Sequence, residues 1–294
     1  MSGRKRIAVI TGASSGLGRE FIRQLDQDAA REEPLFREKP EELWVIARRE
    51  DRLRELEKET ELPVRVLPYD LTDKESILAL QELLEDEQPS VRLLINAAGF
   101  GKIGATENMT LEALDGMIDL NCRAAVDMTQ ICLPYMEKEA RILEICSTSA
   151  FQPFTYLNVY AATKAFLYRY SRALRIELMP RKISVTAVCP YWVKDTEFIP
   201  LAEQGNNADP EEPAIRSFPL ATTREDVVRH ALIDAALNMP VSTPGIVCTV
   251  HRFARKLFPS DILLGIWELI RRILFRRRRA SDTGRKRMLR LQGH

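Results

Sequence analysis

The chain has 294 residues, 45% of them hydrophobic, which is enough apolar material for one large buried core. Its five cysteines, Cys122, Cys132, Cys146, Cys189 and Cys248, are odd in number, widely spaced and set in apolar segments, which excludes a disulfide framework or a zinc cluster and points to a reducing cytosol. The formal net charge of +1 hides a segregation: residues 255–294 hold twelve Lys/Arg against three Asp/Glu, a net +9, and the remainder is at −8.

In chain order, the N-terminal basic residues lead into a first predicted strand, Arg6 to Ile10, whose apolar run is too short for an export signal. That strand enters Thr11-Gly12-Ala13-Ser14-Ser15-Gly16-Leu17-Gly18. Glycines there permit positive φ and close backbone approach, and a helix starting at Gly16 aims its N–H groups and positive dipole at an anion, so the turn reads as a pyrophosphate site. The helix is predicted over Gly16 to Leu25, and the charged stretch 26–42, with Pro34 and Pro40, reads as a solvated insertion or a helix extension.

A second strand, Leu43 to Ala47, ends at Arg48-Arg49. In dinucleotide-binding folds this position meets the adenosine ribose, and two guanidiniums suit a 2′-phosphate better than a bare hydroxyl, so NADP(H) is expected rather than NAD(H). A helix over Asp51 to Glu59 and a strand over Val64 to Leu67 lead to Asp70 and Leu71, after which Thr72 or Asp73 caps a helix over Asp73 to Glu85. The fourth strand, Leu93 to Ile95, ends in Asn96-Ala97-Ala98-Gly99, where small residues let the backbone approach a ribose and Asn96 also reads as a tie within the sheet.

One long helical pattern runs from Leu111 to Met136 and contains Asn121. A strand over Ile142 to Cys146 delivers Ser147, and a helix over Tyr160 to Met179 opens with Tyr160-Ala161-Ala162-Thr163-Lys164. Positions i and i+4 share a helix face about 6 Å apart, so Lys164 is expected beside Tyr160, helping a phenol of pKa about 10 to ionise. A strand over Ile183 to Val188, a helix over Arg224 to Leu237 started by Thr223, and a strand over Gly245 to Val250 complete the pattern. Strands alternating with helices imply an α/β fold: a doubly wound, Rossmann-type three-layer α/β/α sandwich on a parallel sheet of about seven strands. One catalytic domain over residues 1–258 and a basic amphipathic extension over 259–294 are expected.

The glycine turn, the Asn96–Gly99 run, Asn121, Ser147 and the Tyr160–Lys164 pentapeptide, in this order and spacing, together resemble the short-chain dehydrogenase/reductase family over roughly residues 5–250. The resemblance implies hydride transfer between NADP(H) and a ketone or secondary alcohol. It implies that Tyr160 is general acid in reduction and base in oxidation, that Ser147 binds the substrate oxygen, that Lys164 binds the nicotinamide ribose and lowers the phenol pKa, and that Asn121 organises a helix backbone and a water. Ser147 is preferred to Ser149 because it lies thirteen residues before Tyr160, the family's spacing. Asp70, with the backbone of Leu71, corresponds to the adenine contact.

The resemblance implies nicotinamide-carboxamide contacts from Pro190 and the backbone of Val193 and Thr196, but the chain departs from the family pattern here: Tyr191 replaces a glycine and Thr196 comes one residue late, and Tyr191 and Trp192 read instead as a pocket floor. Residues 197–217, rich in Pro, Gly and Asn, read as a loop over the site. With Phe151, Phe154, Tyr156 and Leu157 it suggests an apolar substrate such as a steroid, bile acid or long-chain ketone. The three histidines, His230, His251 and His294, have no paired carboxylates, so neither a metal site nor a Ser-His-Asp hydrolase is expected.

In the extension, Ile262, Ile266, Leu269, Ile270 and Ile273 form one helical stripe, widened by Leu263, Trp267 and Leu274 and followed by Arg276 to Arg279. Charges interrupt any membrane-spanning length. The stripe fits packing across a homodimer or homotetramer, or over the substrate cleft, somewhat better than peripheral membrane contact through 259–279. No nucleic-acid partner is expected of a tail without interleaved aromatics. A competing expectation is an idle NADP(H)-binding sensor or scaffold that works through the basic tail.

Overall fold

The computed structural model describes residues 3–203 and 220–273. Seven strands, β1 (Arg6–Thr11), β2 (Glu42–Ile46), β3 (Val64–Leu67), β4 (Ser90–Asn96), β5 (Arg141–Ile145), β6 (Ser184–Val188) and β7 (Val241–Ser242), form one parallel sheet in the order β3-β2-β1-β4-β5-β6-β7. The order reverses between β1 and β4, and the crevice beyond their carboxyl ends is where open α/β sheets take their ligands.

Alternation along β1 builds the two cores. Ile7 and Val9 enter one apolar layer with Trp44, Leu94 and Ile142, whereas Ala8 and Ile10 enter the other with Phe21, Val45 and Ile95. Helices cover the faces: α1 (Gly16–Ala29), α2 (Glu50–Glu59), α3 (Lys74–Glu87), α4 (Leu111–Ile118), α5 (Ala124–Cys132), α6 (Asn158–Glu177), α7 (Phe198–Glu203), α8 (Arg224–Ala236) and α9 (Ile246–Leu257), with residues 260–273 forming a further helix, α10. Asp73 caps α3 by accepting from the Glu75 and Ser76 amides, and Thr223 caps α8 by accepting from Asp226.

Three expectations need correction, at Gly245 to Val250, at Leu111 to Met136 and at residues 26–42. The branched run Gly245 to Val250 is not a strand but the start of α9, and the seventh strand is the two-residue β7 before it. The helix expected over Leu111 to Met136 is interrupted by a π-helical turn, Asp119–Arg123, that carries Asn121. Of the placements open to the apolar stripe of the extension, packing over the substrate cleft is not the one adopted: Ile262, Ile266, Leu269, Ile270 and Ile273 are exposed, while Trp267 and Arg271 pack against the body. Of residues 26–42, the first four extend α1 to Ala29, and the rest buries Phe36 beneath the Arg141 guanidinium instead of being wholly solvated. The Pro/Gly/Asn-rich stretch 204–217, Leu274 and Arg276 to Arg279 lie outside the described residues.

Candidate active site

The crevice is shaped first by backbone. Gly12 has φ +67°, and a Cβ there would lie 2.8 Å from the Ala98 nitrogen, so glycine alone lets the turn after β1 close against the turn after β4. The Thr11 hydroxyl locks the pair by accepting from the Ala98 N–H at 3.0 Å. Gly16, Leu17 and Gly18 form the first turn of α1, and Ser15 at its N-cap makes no side-chain cap, so the opening amides of the helix remain available to an anion.

The two arginines take different positions. Arg49 lies across the glycine turn: its Nη2 donates to Ser14 Oγ at 3.0 Å and to Ser15 Oγ at 2.9 Å. Arg48 is mostly exposed and faces Asp70, with Nη1 3.7 Å from Oδ2. Asp70 also accepts from the Thr72 amide and hydroxyl. The side chain of Leu71 is buried in the core, leaving backbone at that position. Asn96 is turned inward, its Nδ2 donating to the Ala125 carbonyl, to Thr129 Oγ1 and to Glu144 Oε1, so what borders the crevice there is the backbone of Ala97, Ala98 and Gly99. Two hydroxyls, a guanidinium and uncapped helix amides around one glycine turn are a donor set that fits a phosphorylated dinucleotide.

β5 and α6 bring the reacting groups together. Ser147 leaves the end of β5, its Oγ accepting from the Ser149 amide at 3.1 Å and sharing a hydrogen bond with the Tyr160 hydroxyl. Ser149, its rival, keeps a buried hydroxyl with no partner. Lys164, one turn after Tyr160 on α6, places Nζ 5.8 Å from the centroid of the phenol ring and donates to the Ile145 carbonyl at 2.7 Å. A Cβ on Gly99 would meet Nζ at 3.3 Å and Asn121 Oδ1 at 2.8 Å, so this residue lets ammonium, amide and nucleotide crevice converge. Asn121, wholly buried in the π-turn, accepts from the Phe100 amide and donates to the Phe100 carbonyl and to Thr163 Oγ1.

The electrostatics differ from expectation at one point. The phenol of Tyr160 is not lowered: burial raises it well above its ordinary value, with the Ser147 hydrogen bond only partly opposing. The Lys164 ammonium is itself lowered by burial, and it donates one hydrogen bond to the Ile145 carbonyl.

On the far side, Thr148 N–H donates to the Pro190 carbonyl, and Val193 bridges to Thr222. Thr196 donates to the Val193 carbonyl and faces the glycine turn, its side chain 3.7 Å from where a Gly16 Cβ would be. Phe198 follows, its ring centroid 5.2 Å from that of Tyr160, and Tyr160, Leu157, Ile103, Met117 and Ala202 form an apolar cluster against which Phe154, Trp192 and Trp267 pack. Tyr191 and Trp192 contact edge to face at 6.3 Å.

Sequence reasoning missed Glu197, which accepts from both Arg49 and Arg52 and so ties the segment before α7 to α2. It also missed Glu144, fully buried behind the site between Asn96 and Thr129, whose carboxyl burial pushes up to about 8. A charged residue in the apolar run of β5 was a readable signal for Glu144; nothing local marks Glu197.

Residues 6–206 match the short chain dehydrogenase family. The chain belongs to that family. Among curated family relatives, the NADP-dependent 3-hydroxy acid dehydrogenase YdfG of Escherichia coli K12 is 28% identical over 259 residues, covering 84% of this chain and 99% of the relative. Among solved structures, a short-chain dehydrogenase from Sphingobium yanoikuyae in complex with NADPH superposes with TM-score 0.69 at 26% identity, covering 85% of this chain and 91% of that one. The bulky-bulky ketone specific alcohol dehydrogenase from Comamonas testosteroni does so with TM-score 0.65 at 26% identity, covering 85% and 92%.

Proposed function

We propose that this short-chain dehydrogenase is an NADP(H)-dependent oxidoreductase that interconverts an apolar ketone and its secondary alcohol. The observation that carries the proposal is geometric: the Tyr160 hydroxyl lies beside Ser147, one turn from Lys164, where Gly99 lets the Lys164 ammonium approach the glycine-turn crevice. The NADPH-bound family neighbour and the NADP-dependent relative agree with the donor set at Arg49, Ser14 and Ser15. NADP(H) is the cofactor.

When bound, NADP(H) supplies the hydride in reduction and accepts it in oxidation. Arg49, Ser14, Ser15 and the amides of Gly16 to Gly18 would hold its phosphates, with Arg48, Asp70, Leu71 and the backbone of Ala97 to Gly99 along the adenosine. Lys164 would meet the nicotinamide ribose, and Pro190, Val193 and Thr196 its carboxamide. Tyr160 gives its proton to the substrate oxygen as negative charge develops there; a phenol with a raised pKa keeps that proton until a strongly basic alkoxide forms. Ser147 donates to the same oxygen, and the Lys164 ammonium stabilises the phenolate left behind. Asn121 holds the Phe100 turn and the first turns of α6 in register with one another.

The aromatic wall of Phe154, Trp192, Phe198 and Trp267 supports a bulky apolar substrate, and the bulky-bulky ketone specificity of the Comamonas testosteroni neighbour points the same way. Exposed apolar side chains on α4 and α6, among them Leu111, Ile118, Phe166 and Ile176, support a homodimer or homotetramer built on that face. Five buried free thiols fit a reducing cytosol.

The test is NADPH consumption with a panel of small, long-chain and polycyclic ketones, comparing wild type with Tyr160→Phe. Turnover of the bulky ketones that falls roughly a hundredfold to ten-thousandfold in the variant, with NADPH affinity kept, is expected. NADPH binding without turnover of any ketone above the variant's rate would favour an idle binder.

A further inference from the structure

We propose that α9 and α10 form a docking surface for an anionic lipid bilayer. Along α9, Ile246, Val250, Phe253 and Leu257 recur at i, i+4, i+7 and i+11, and each is more than half exposed. Along α10, Ile262, Ile266, Leu269, Ile270 and Ile273 repeat the same spacing, each 44% exposed or more. Both are complete helical stripes left exposed among the described residues, whereas a helix of a soluble domain ordinarily turns such a stripe to the core.

The inner faces show which way the stripes point. His251 on α9 and Trp267 on α10 both pack edge to face on Phe154, with ring centroids at 6.0 and 5.0 Å. Both residues lie across their helices from the stripes, so the two apolar faces are turned away from the same anchor. Arg271 stacks on the Tyr156 ring at 4.5 Å, and Glu268 accepts from Thr155 at 3.1 Å, fixing α10 to the loop that leads into α6. The outward orientation is thus built, since Trp267, Glu268 and Arg271 are the residues of α10 used for packing, and none of them belongs to the exposed stripe.

Charge selects the occupant. Lys256 and Arg272 stand at the margins of the stripes, Arg255 follows on α9, and the sequence beyond the described residues continues with Arg276 to Arg279. Residues 255–294 total +9 on a chain otherwise at −8. The described part, 255–273, carries four Lys/Arg against two Asp/Glu, so a second copy joined through this face by a twofold axis would set like charge against like charge. An anionic lipid surface takes the apolar stripes into its acyl boundary and the cations at its headgroups, each Lys or Arg adding attraction. No described helix is long and apolar enough to cross a membrane, which fits a helix pair lying in the interface.

The experiment is co-sedimentation of the full chain with phosphatidylcholine vesicles, with and without phosphatidylserine, at low and high salt. Binding that requires phosphatidylserine and falls roughly tenfold or more on raising salt is expected. Leu257→Glu with Leu269→Glu should abolish it while NADPH affinity and molar mass in sedimentation velocity stay as in wild type; Arg272→Glu, which leaves the apolar stripes intact, should weaken it several-fold. Absent binding, binding indifferent to lipid charge, or a drop in molar mass in the double variant with vesicle binding unchanged would overturn the proposal, the last by making the face a contact between copies.

Discussion

At the residue scale, the groups around Tyr160 are buried, and burial favours their neutral forms. It raises the phenol and also the carboxyl of Glu144 behind it. The Glu144 carboxyl is raised from 4.5 to about 8, so between those values the folded chain keeps a proton that the unfolded chain releases. Its stabilising contribution is complete below pH 4.5 and is lost as pH rises through about 8. Thermal melts of wild type and Glu144→Gln, which keeps the acceptor toward Asn96 and Thr129, should therefore show a difference in Tm that moves against wild type across this window. A difference independent of pH would contradict the assignment. The arginines separate just as sharply: Arg49→Ala removes the guanidinium that spans Ser14 and Ser15, and should weaken NADPH binding roughly tenfold to a hundredfold while NADH binding changes little. Equal losses for the two nucleotides in a titration would remove the 2′-phosphate role from Arg49.

At the element scale, α7 stands against the chemistry. The Phe198 ring occupies the space beside the Tyr160 ring, and Glu197 ties its base to Arg49 and Arg52, so a large ketone reaches the phenol only when this short helix moves aside. Phe198→Ala should raise kcat/KM for polycyclic ketones roughly tenfold relative to small ones. An unchanged ratio would show that Phe198 does not border the substrate. Elements read from sequence succeeded where periodicity and punctuation agreed, as in β1, the glycine turn and α1. They failed where the two signals competed. Ile246, Val247 and Val250 have the branched side chains of a strand, yet the spacing 246, 250, 253, 257 is that of a helix, and the longer period decided the outcome. The π-turn at Asn121 leaves no trace in apolar spacing, because it answers to hydrogen bonds with Phe100 and Thr163 from distant segments.

At the scale of the whole molecule, the parts of the site legible in sequence were those encoded locally: a glycine turn, and a Tyr–Lys pair four residues apart on one helix. The parts that were not legible join segments remote in sequence, such as Arg49 to Glu197, Asn96 to Glu144, and Trp267 to Phe154. The amphipathic spacing of the extension was readable, but its direction was not, since outward or inward depends on what Thr155 and Tyr156 offer to Glu268 and Arg271. These long-range ties bind a cofactor crevice, a proton donor and an apolar wall into one site, and the central claim is that hydride and proton meet there. The direct measurement is the fate of deuterium from NADPH carrying deuterium at both nicotinamide C4 positions, incubated with a bulky ketone and read by mass spectrometry of the alcohol. The account predicts carbon-bound deuterium in the product with wild type and background levels with Tyr160→Phe. Unlabelled alcohol, or equal labelling by both proteins, would contradict it.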